Sequence, residues 1–167
     1  GNTSQGLRRM GDSDFNLGTG DWSIAFWYKA TTDATGDWTI LALSDQSADW
    51  VHFGIANSNS DKLQMEVSDD NFTSDDQIDS PFSDADFTDR YHFVVGQRSG
   101  STLYLYFDGE LIGSTAVSAA GASLDPDDLE IGLETRTNWS GWTSGQIAGV
   151  NVNVTQALPV PVIKGMY

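Results

Sequence analysis

Between Tyr91 and Thr115 the chain reads YHFVVGQRSGSTLYLYFDGELIGST, and this stretch narrows most what the chain can fold into. Three short runs rich in β-branched and aromatic residues are separated by two turn signals. In the first run Tyr91, Phe93 and Val95 alternate with His92, Val94 and Gly96. Arg98-Ser99-Gly100-Ser101 then supplies a polar turn in which the glycine takes the positive φ. In the second run Leu103, Leu105 and Phe107 fall on one face and Tyr104 and Tyr106 on the other, the period of a strand. Asp108-Gly109 follows at once, and both residues tolerate the left-handed backbone of a tight hairpin. Glu110 to Thr115 then pairs back. The expectation is an antiparallel meander that buries Leu103, Leu105 and Phe107 and leaves Tyr104 and Tyr106 outside the core.

The rest of the chain keeps the same rhythm. Leu7 to Met10 reads as an edge strand whose Arg8 and Arg9 discourage edge pairing. Trp22 to Lys29 carries apolar bulk on both faces, as a strand covered on both sides would. Trp38 to Ser44, Trp50 to Ala56 and Lys62 to Val67 are further strands, the last with Leu63, Met65 and Val67 inward. Ser68 to Asp89 breaks the pattern with eight aspartates and no Lys or Arg, and reads as a long loop pegged by Phe72, Ile78, Phe82 and Phe87. Ala116 to Asp128 is a small-residue loop. Leu129 to Glu134 and Gln146 to Val154 are the last strands, and Pro159 and Pro161 are expected to stop a terminal helix from propagating. Evenly spaced short strands, with no helical periodicity over three turns, specify an all-β, two-layer antiparallel β-sandwich. Residues 1–167 form one domain.

The quoted segments also resemble laminin-G-like domains. The Tyr-His strand, the Gly/Ser turn and the Leu-Tyr-Phe-Asp-Gly-Glu-Leu run are similar to that family's signature. Asp21 to Lys29 (DWSIAFWYK) resembles its early strand, Leu129 to Leu133 (LEIGL) its Ile-Gly strand, Ser144 to Leu158 its closing strand, and Ile163 to Tyr167 its tail. The matches run in family order along nearly the whole chain. The resemblance implies the concanavalin A-like jelly roll. Where that family often has an acidic pair after Gly-x-Ile, this chain has Ala148-Gly149, so any role of those acids is not carried over.

Charge excludes several partners. A formal net charge of −16 repels nucleic-acid phosphates and anionic lipid surfaces. No apolar run reaches the ~20 residues of a membrane span, so membrane insertion is not expected. Cysteine is absent, and neither a disulfide framework nor a redox compartment can be read from the sequence. A chain beginning at Gly1 without Met reads as a processed protein or as a domain cut from a longer one.

Three chemistries deserve weighing. For glycoside hydrolysis a carboxylate pair is needed; Asp128, Glu130 and Glu134 alternate along one strand, but Gly132 stands where a further acid is wanted. His52 and His92 lie in strand runs with no acid at a suggestive spacing, which favours structural roles. For Ca²⁺, which wants several oxygens, Asp125, Asp127 and Asp128 are the first choice, with Asp69, Asn71 and Asp75 a looser second. For sugar binding, aromatic faces beside amides and acids are wanted. Tyr104 and Tyr106 on an outer sheet face, and Trp139 and Trp142 in a polar loop, fit that need. Sequons begin at Asn2, Asn71, Asn138 and Asn153 and discriminate little. The leading expectation is a non-enzymatic recognition or adhesion module for a glycan or protein surface, extracellular or displayed on a particle. The second is a structural virion component, such as a decoration or tail protein, or another assembly subunit that could oligomerise. A glycoside hydrolase is third.

Overall fold

Every run with two-residue alternation becomes a strand. The computed structural model describes residues 6–31, 37–45, 49–56, 61–69, 76–118, 123–132 and 145–167. The strands are β1 (Leu7–Arg9), β2 (Trp22–Ala30), β3 (Trp38–Ser44), β4 (Trp50–Ala56), β5 (Lys62–Ser68) and β6 (Asp76–Ser83). They continue as β7 (His92–Ser99), β8 (Thr102–Phe107), β9 (Glu110–Ala116), β10 (Asp128–Ile131) and β11 (Gly145–Asn153). One sheet has the order β1-β10-β3-β4-β5-β6, the other β11-β2-β7-β8-β9. All their pairings are antiparallel. The predicted meander is the β7-β8-β9 half of the second sheet, and Asp108 takes positive φ in its hairpin, as does Gly109.

The sheets face each other across one apolar core. Leu103 and Leu105 are fully buried in it, with Phe107 packed at its margin. Leu63, Met65 and Val67 point into it from β5, as their alternation predicts. The tightest approach is at Gly96 in β7, where a β-carbon would lie 2.4 Å from both Met65 Sδ and Phe53 Cζ. Phe53 in turn meets Phe26 of the facing sheet edge-on at 5.2 Å between centroids. A second close approach joins the sheet edges, since a β-carbon on Gly113 of β9 would meet Ile78 Cγ2 of β6 at 2.4 Å.

Three expectations need correction. Residues 68–89 are not one loop: β6 and a 3-10 turn (Asp84–Phe87) lie within them. Aspartates are tolerated in this edge strand because they find donors. Asp79 Oδ1 accepts from Gln64 Nε2 at 3.0 Å and from Gln77 Nε2 at 2.7 Å, and Asp76 Oδ2 accepts from Ser118 N at 2.8 Å. Pro81 withdraws a donor, which an edge strand can spare. Secondly, the prolines do not prevent a terminal helix. Val160–Met166 forms a short helix, α1, with Pro161 in its first turn, where a missing N–H costs nothing. Thirdly, Tyr106 is not exposed. It retains 5% of its surface, because residues after β11 return across the outer face of its sheet.

Two substitutions test the packing. Leu105→Ala should cost about 2–5 kcal/mol, as transfer energy is lost and a cavity opens. Gly96→Ala should cost about 1–3 kcal/mol by overpacking, although alanine suits a strand better than glycine. Denaturant titrations measure both, and a Gly96→Ala protein as stable as the parent would refute the contact between sheets.

Candidate functional site

The outer face of the five-stranded sheet holds a second, smaller apolar cluster. Ala25, Phe93, Val95 and Tyr106 are roofed by Ile163 of α1, with Trp27, Tyr104 and Leu158 packed around them. Polar contacts tie down the chain leading to α1. Leu158 N donates to Gln97 Oε1 at 2.8 Å, and Ser23 Oγ donates to the Gln156 carbonyl at 3.1 Å. Where this strap leaves the sheet, a cleft of about 420 Å³ opens. Asp21, Gln97, Ser99, Tyr104 and Tyr106 line it from the sheet side, and residues 157–160 form the opposite wall.

Register explains why these residues meet. Ser23 pairs with Gln97 and Gln97 with Tyr104, so all three share the outer face of adjacent strands. The Tyr104 and Tyr106 rings lie 6.4 Å apart, inclined at 31°. Both line the cleft, Tyr104 half-buried and Tyr106 buried. Burial pushes the Tyr106 phenol above its ordinary range, the neighbouring Tyr104 adds to the rise, and a hydrogen bond with Gln97 opposes it. Asp21 stands at the rim, its Oδ1 accepting from Gly100 N at 2.7 Å. The arrangement is a partly apolar recess with an amide, a hydroxyl and a carboxylate around it, suited to holding a small polar molecule against a ring.

A family model described as the concanavalin A-like lectin/glucanases superfamily, of laminin G type, matches residues 4–158. The chain belongs to that superfamily. Solved structures agree on the fold at low sequence identity. The receptor-binding domain of the botulinum neurotoxin C/D mosaic serotype superposes with a TM-score of 0.70 at 15% identity, over 96% of this chain and 41% of that one. The ligand-binding domain of botulinum neurotoxin serotype D, in complex with N-acetylneuraminic acid, gives 0.70 at 15% identity, over 98% and 46%. The CBM40 of the Ruminococcus gnavus IT-sialidase, bound to α2,3-sialyllactose, gives 0.67 at 14% identity, over 96% and 97%. The chain thus spans less than half of either toxin domain but nearly all of the CBM40. No curated protein matches the sequence.

Of the aromatic residues expected to bind a ligand in this concanavalin A-like domain, Tyr104 and Tyr106 come together at the cleft. Trp139 and Trp142 lie outside the described residues, as do Glu134, Asn71 and Asp75 and the sequon residues Asn2 and Asn138. The acidic trio Asp125, Asp127 and Asp128 does not converge on one point. Among the described residues no group of three or more His, Asp or Glu could hold a metal ion. Asp128 is buried and already engaged: Arg8 Nη2 pairs with its Oδ2 at 2.7 Å, and Gly11 N donates to its Oδ1 at 2.8 Å. Asp125 accepts from the Asn16 amide instead, and its backbone N–H donates to Asp49 Oδ2 at 2.6 Å. Burial pushes Asp49 upward, against that hydrogen bond, and Asp45, Asp69 and Asp125 add like-charge repulsion. Among the described residues no helix is long and apolar enough to cross a membrane.

The histidines have acidic neighbours, most of them distant in sequence. Arg8 pairs in register with Glu130, Glu130 with Ala42, Ala42 with His52, and His52 with Glu66, making one row across the six-stranded sheet. Arg8 Nε lies 3.0 Å from Glu130 Oε1, and His52 Nδ1 lies 4.0 Å from Glu66 Oε2. Asp128 and Glu130, the carboxylates weighed for hydrolysis, are thus buried partners of one arginine. His92 has a carboxylate on each ring nitrogen, Asp108 Oδ2 at 2.7 Å from Nδ1 and Asp89 Oδ1 at 3.0 Å from Nε2. The hydrogen bond with His92 pulls Asp89 below the usual carboxylate range. The Asp89-x-x-His92 spacing was the available signal for one of these contacts; the other needs the hairpin.

Tyr106 makes a pH prediction. A phenol whose pKa is raised on folding keeps its proton longer in the folded state than in the unfolded one. Its stabilising effect is therefore complete below the ordinary tyrosine value of about 10 and is lost as pH climbs through the folded value. Melting temperatures between about pH 8 and 11 should fall more steeply for the parent than for Tyr106→Phe; parallel curves would exclude the phenol as a cause.

Proposed function

We propose that this concanavalin A-like domain is a non-enzymatic glycan-recognition module, with the sugar seated in the cleft between β2, β7, β8 and the strap before α1. The reading rests on one observation: Tyr104 lines the cleft together with Gln97, Ser99 and Asp21. A pyranose has an apolar C–H face and a hydroxyl rim, and this recess supplies a partner for each. Its volume of about 420 Å³ suits one or two sugar rings. Further support comes from domains of like fold whose structures contain N-acetylneuraminic acid or sialyllactose. Among the described residues the lining holds a single carboxylate, Asp21, where glycoside hydrolysis would require a pair. Asp128 and Glu130 are committed to Arg8. We propose an extracellular or surface-displayed setting, in which such a module would attach its bearer to a glycan-coated surface.

A glycan array followed by calorimetry tests this. Tyr104→Ala should weaken binding by about 2 kcal/mol, the scale of an interfacial aromatic anchor. Its melting temperature should also fall through lost contacts in the outer cluster, so binding is measured well below that temperature, where the two effects separate. If no glycan binds and the chain instead assembles with itself or on a particle, the role is structural and the proposal fails.

A further inference from the structure

The wall chemistry of the cleft narrows the class of sugar, granted the glycan reading above. Among the described residues its lining contains no Arg, Lys or His, and its one charged side chain is Asp21. Asp21 is fixed in place, since its Oδ1 accepts from Gly100 N at 2.7 Å. The neighbouring cation does not help. Arg98 follows Gln97 in β7 and so projects to the opposite face, its Nε donating to the Gly100 carbonyl at 3.0 Å. The other polar groups, the Gln97 amide and the Ser99 and tyrosine hydroxyls, are neutral. Gln97 is further committed through its Oε1 to Leu158 N.

An acidic sugar entering this recess would lose water from its carboxylate or sulfate beside a like charge, with no cation among the described lining residues to replace the lost hydration. A desolvated, unpaired anion is costly, and recognition of a carboxylate ordinarily draws on a guanidinium or ammonium group. The chain's net charge of −16 adds repulsion at longer range. We propose that the cleft selects neutral hexopyranosides and rejects glycans that would place a sialic acid, uronic acid or sulfate in it. In this respect it departs from the domains of like fold that hold N-acetylneuraminic acid or sialyllactose. Shared fold then coexists with opposite charge selection, because strands fix the scaffold while individual side chains fix the ligand.

The test uses neutral oligosaccharides, each matched with the same oligosaccharide capped by N-acetylneuraminic acid, titrated against the full chain and against Asp21→Asn. Asparagine retains the oxygen that accepts from Gly100 N but removes the charge. Neutral members should bind, their capped counterparts about tenfold or more weakly, and Asp21→Asn should narrow that gap. Raising salt should narrow it as well. Capped members binding as tightly as neutral ones, with binding abolished by Tyr104→Ala, would overturn the charge selection and leave glycan recognition standing. A gap that survives Asp21→Asn unchanged would also overturn it, because the charge would not be its source. Failure of every member of both sets to bind would overturn the glycan reading itself.

Discussion

The closeness of the two sheets at Gly96 is the constraint from which the rest of the architecture follows. Met65 and Phe53 reach across from the six-stranded sheet into space that a side chain on β7 would otherwise fill. Without a β-carbon at this position the layers interlock, and Phe53 lies edge-on to Phe26. Glycine costs a strand conformational entropy and packing surface, and here it returns large aromatic contacts between layers. Gly113 plays the same part at the margin beneath Ile78, drawing β9 against β6. Sheets fixed so closely leave strand register no freedom, since a one-residue slip would put the wrong side chain at the contact.

From the same five-stranded sheet a polar hub secures the C-terminal strap. Asp108, at the β8–β9 turn, accepts from Phe93 N at 2.9 Å, contacts His92 Nδ1 and pairs with Arg90 at 3.1 Å. Arg90 in turn donates to the Tyr167 hydroxyl at 2.9 Å. Lys164 approaches the turn closely, its Cα 3.4 Å from where a β-carbon on Gly109 would be. These contacts hold one end of α1 while Ile163 anchors it in the outer cluster. Leu158 is held to Gln97 and Ile163 is seated in the outer cluster, so the strap that lines one side of the cleft is anchored at both points.

A scaffold shared with toxin receptor-binding domains and a sialidase-associated CBM40 says how this chain folds. On the proposed reading, recognition falls to the few side chains that line the cleft. Tyr104, Gln97, Ser99 and Asp21 come from three different segments, and their chemistry is polar, aromatic and acidic. The row from half-buried Arg8 through buried Glu130 and His52 to Glu66 belongs to the opposite sheet. It shows that the chain's many acids are not all a solvating surface. Some are internal partners of the few cations.

The alternation of Leu103, Leu105 and Phe107 against Tyr104 and Tyr106 was enough to assign their strand and both of its faces, because side chains on a strand alternate whatever their surroundings. Asp108-Gly109 fixed the hairpin for an equally local reason, the backbone angles that those residues accept. Strand content, two-layer class and family resemblance were thus legible in the sequence. What lies over a face is not a local property. That Tyr106 is covered, that Tyr104 stands beside a cleft and that the C-terminal residues roof them all depend on a return across the sheet after β11. The aspartates of residues 76–79 carry a loop signal locally, which Gln64 and Ser118 override by satisfying them. Likewise, His52 meets Glu66 and His92 meets Asp108 only once strand order and a hairpin bring distant residues together. Short-range backbone preference determines the elements; long-range burial and hydrogen-bond satisfaction, which tertiary structure alone supplies, decide which of their faces are covered and which line a cleft.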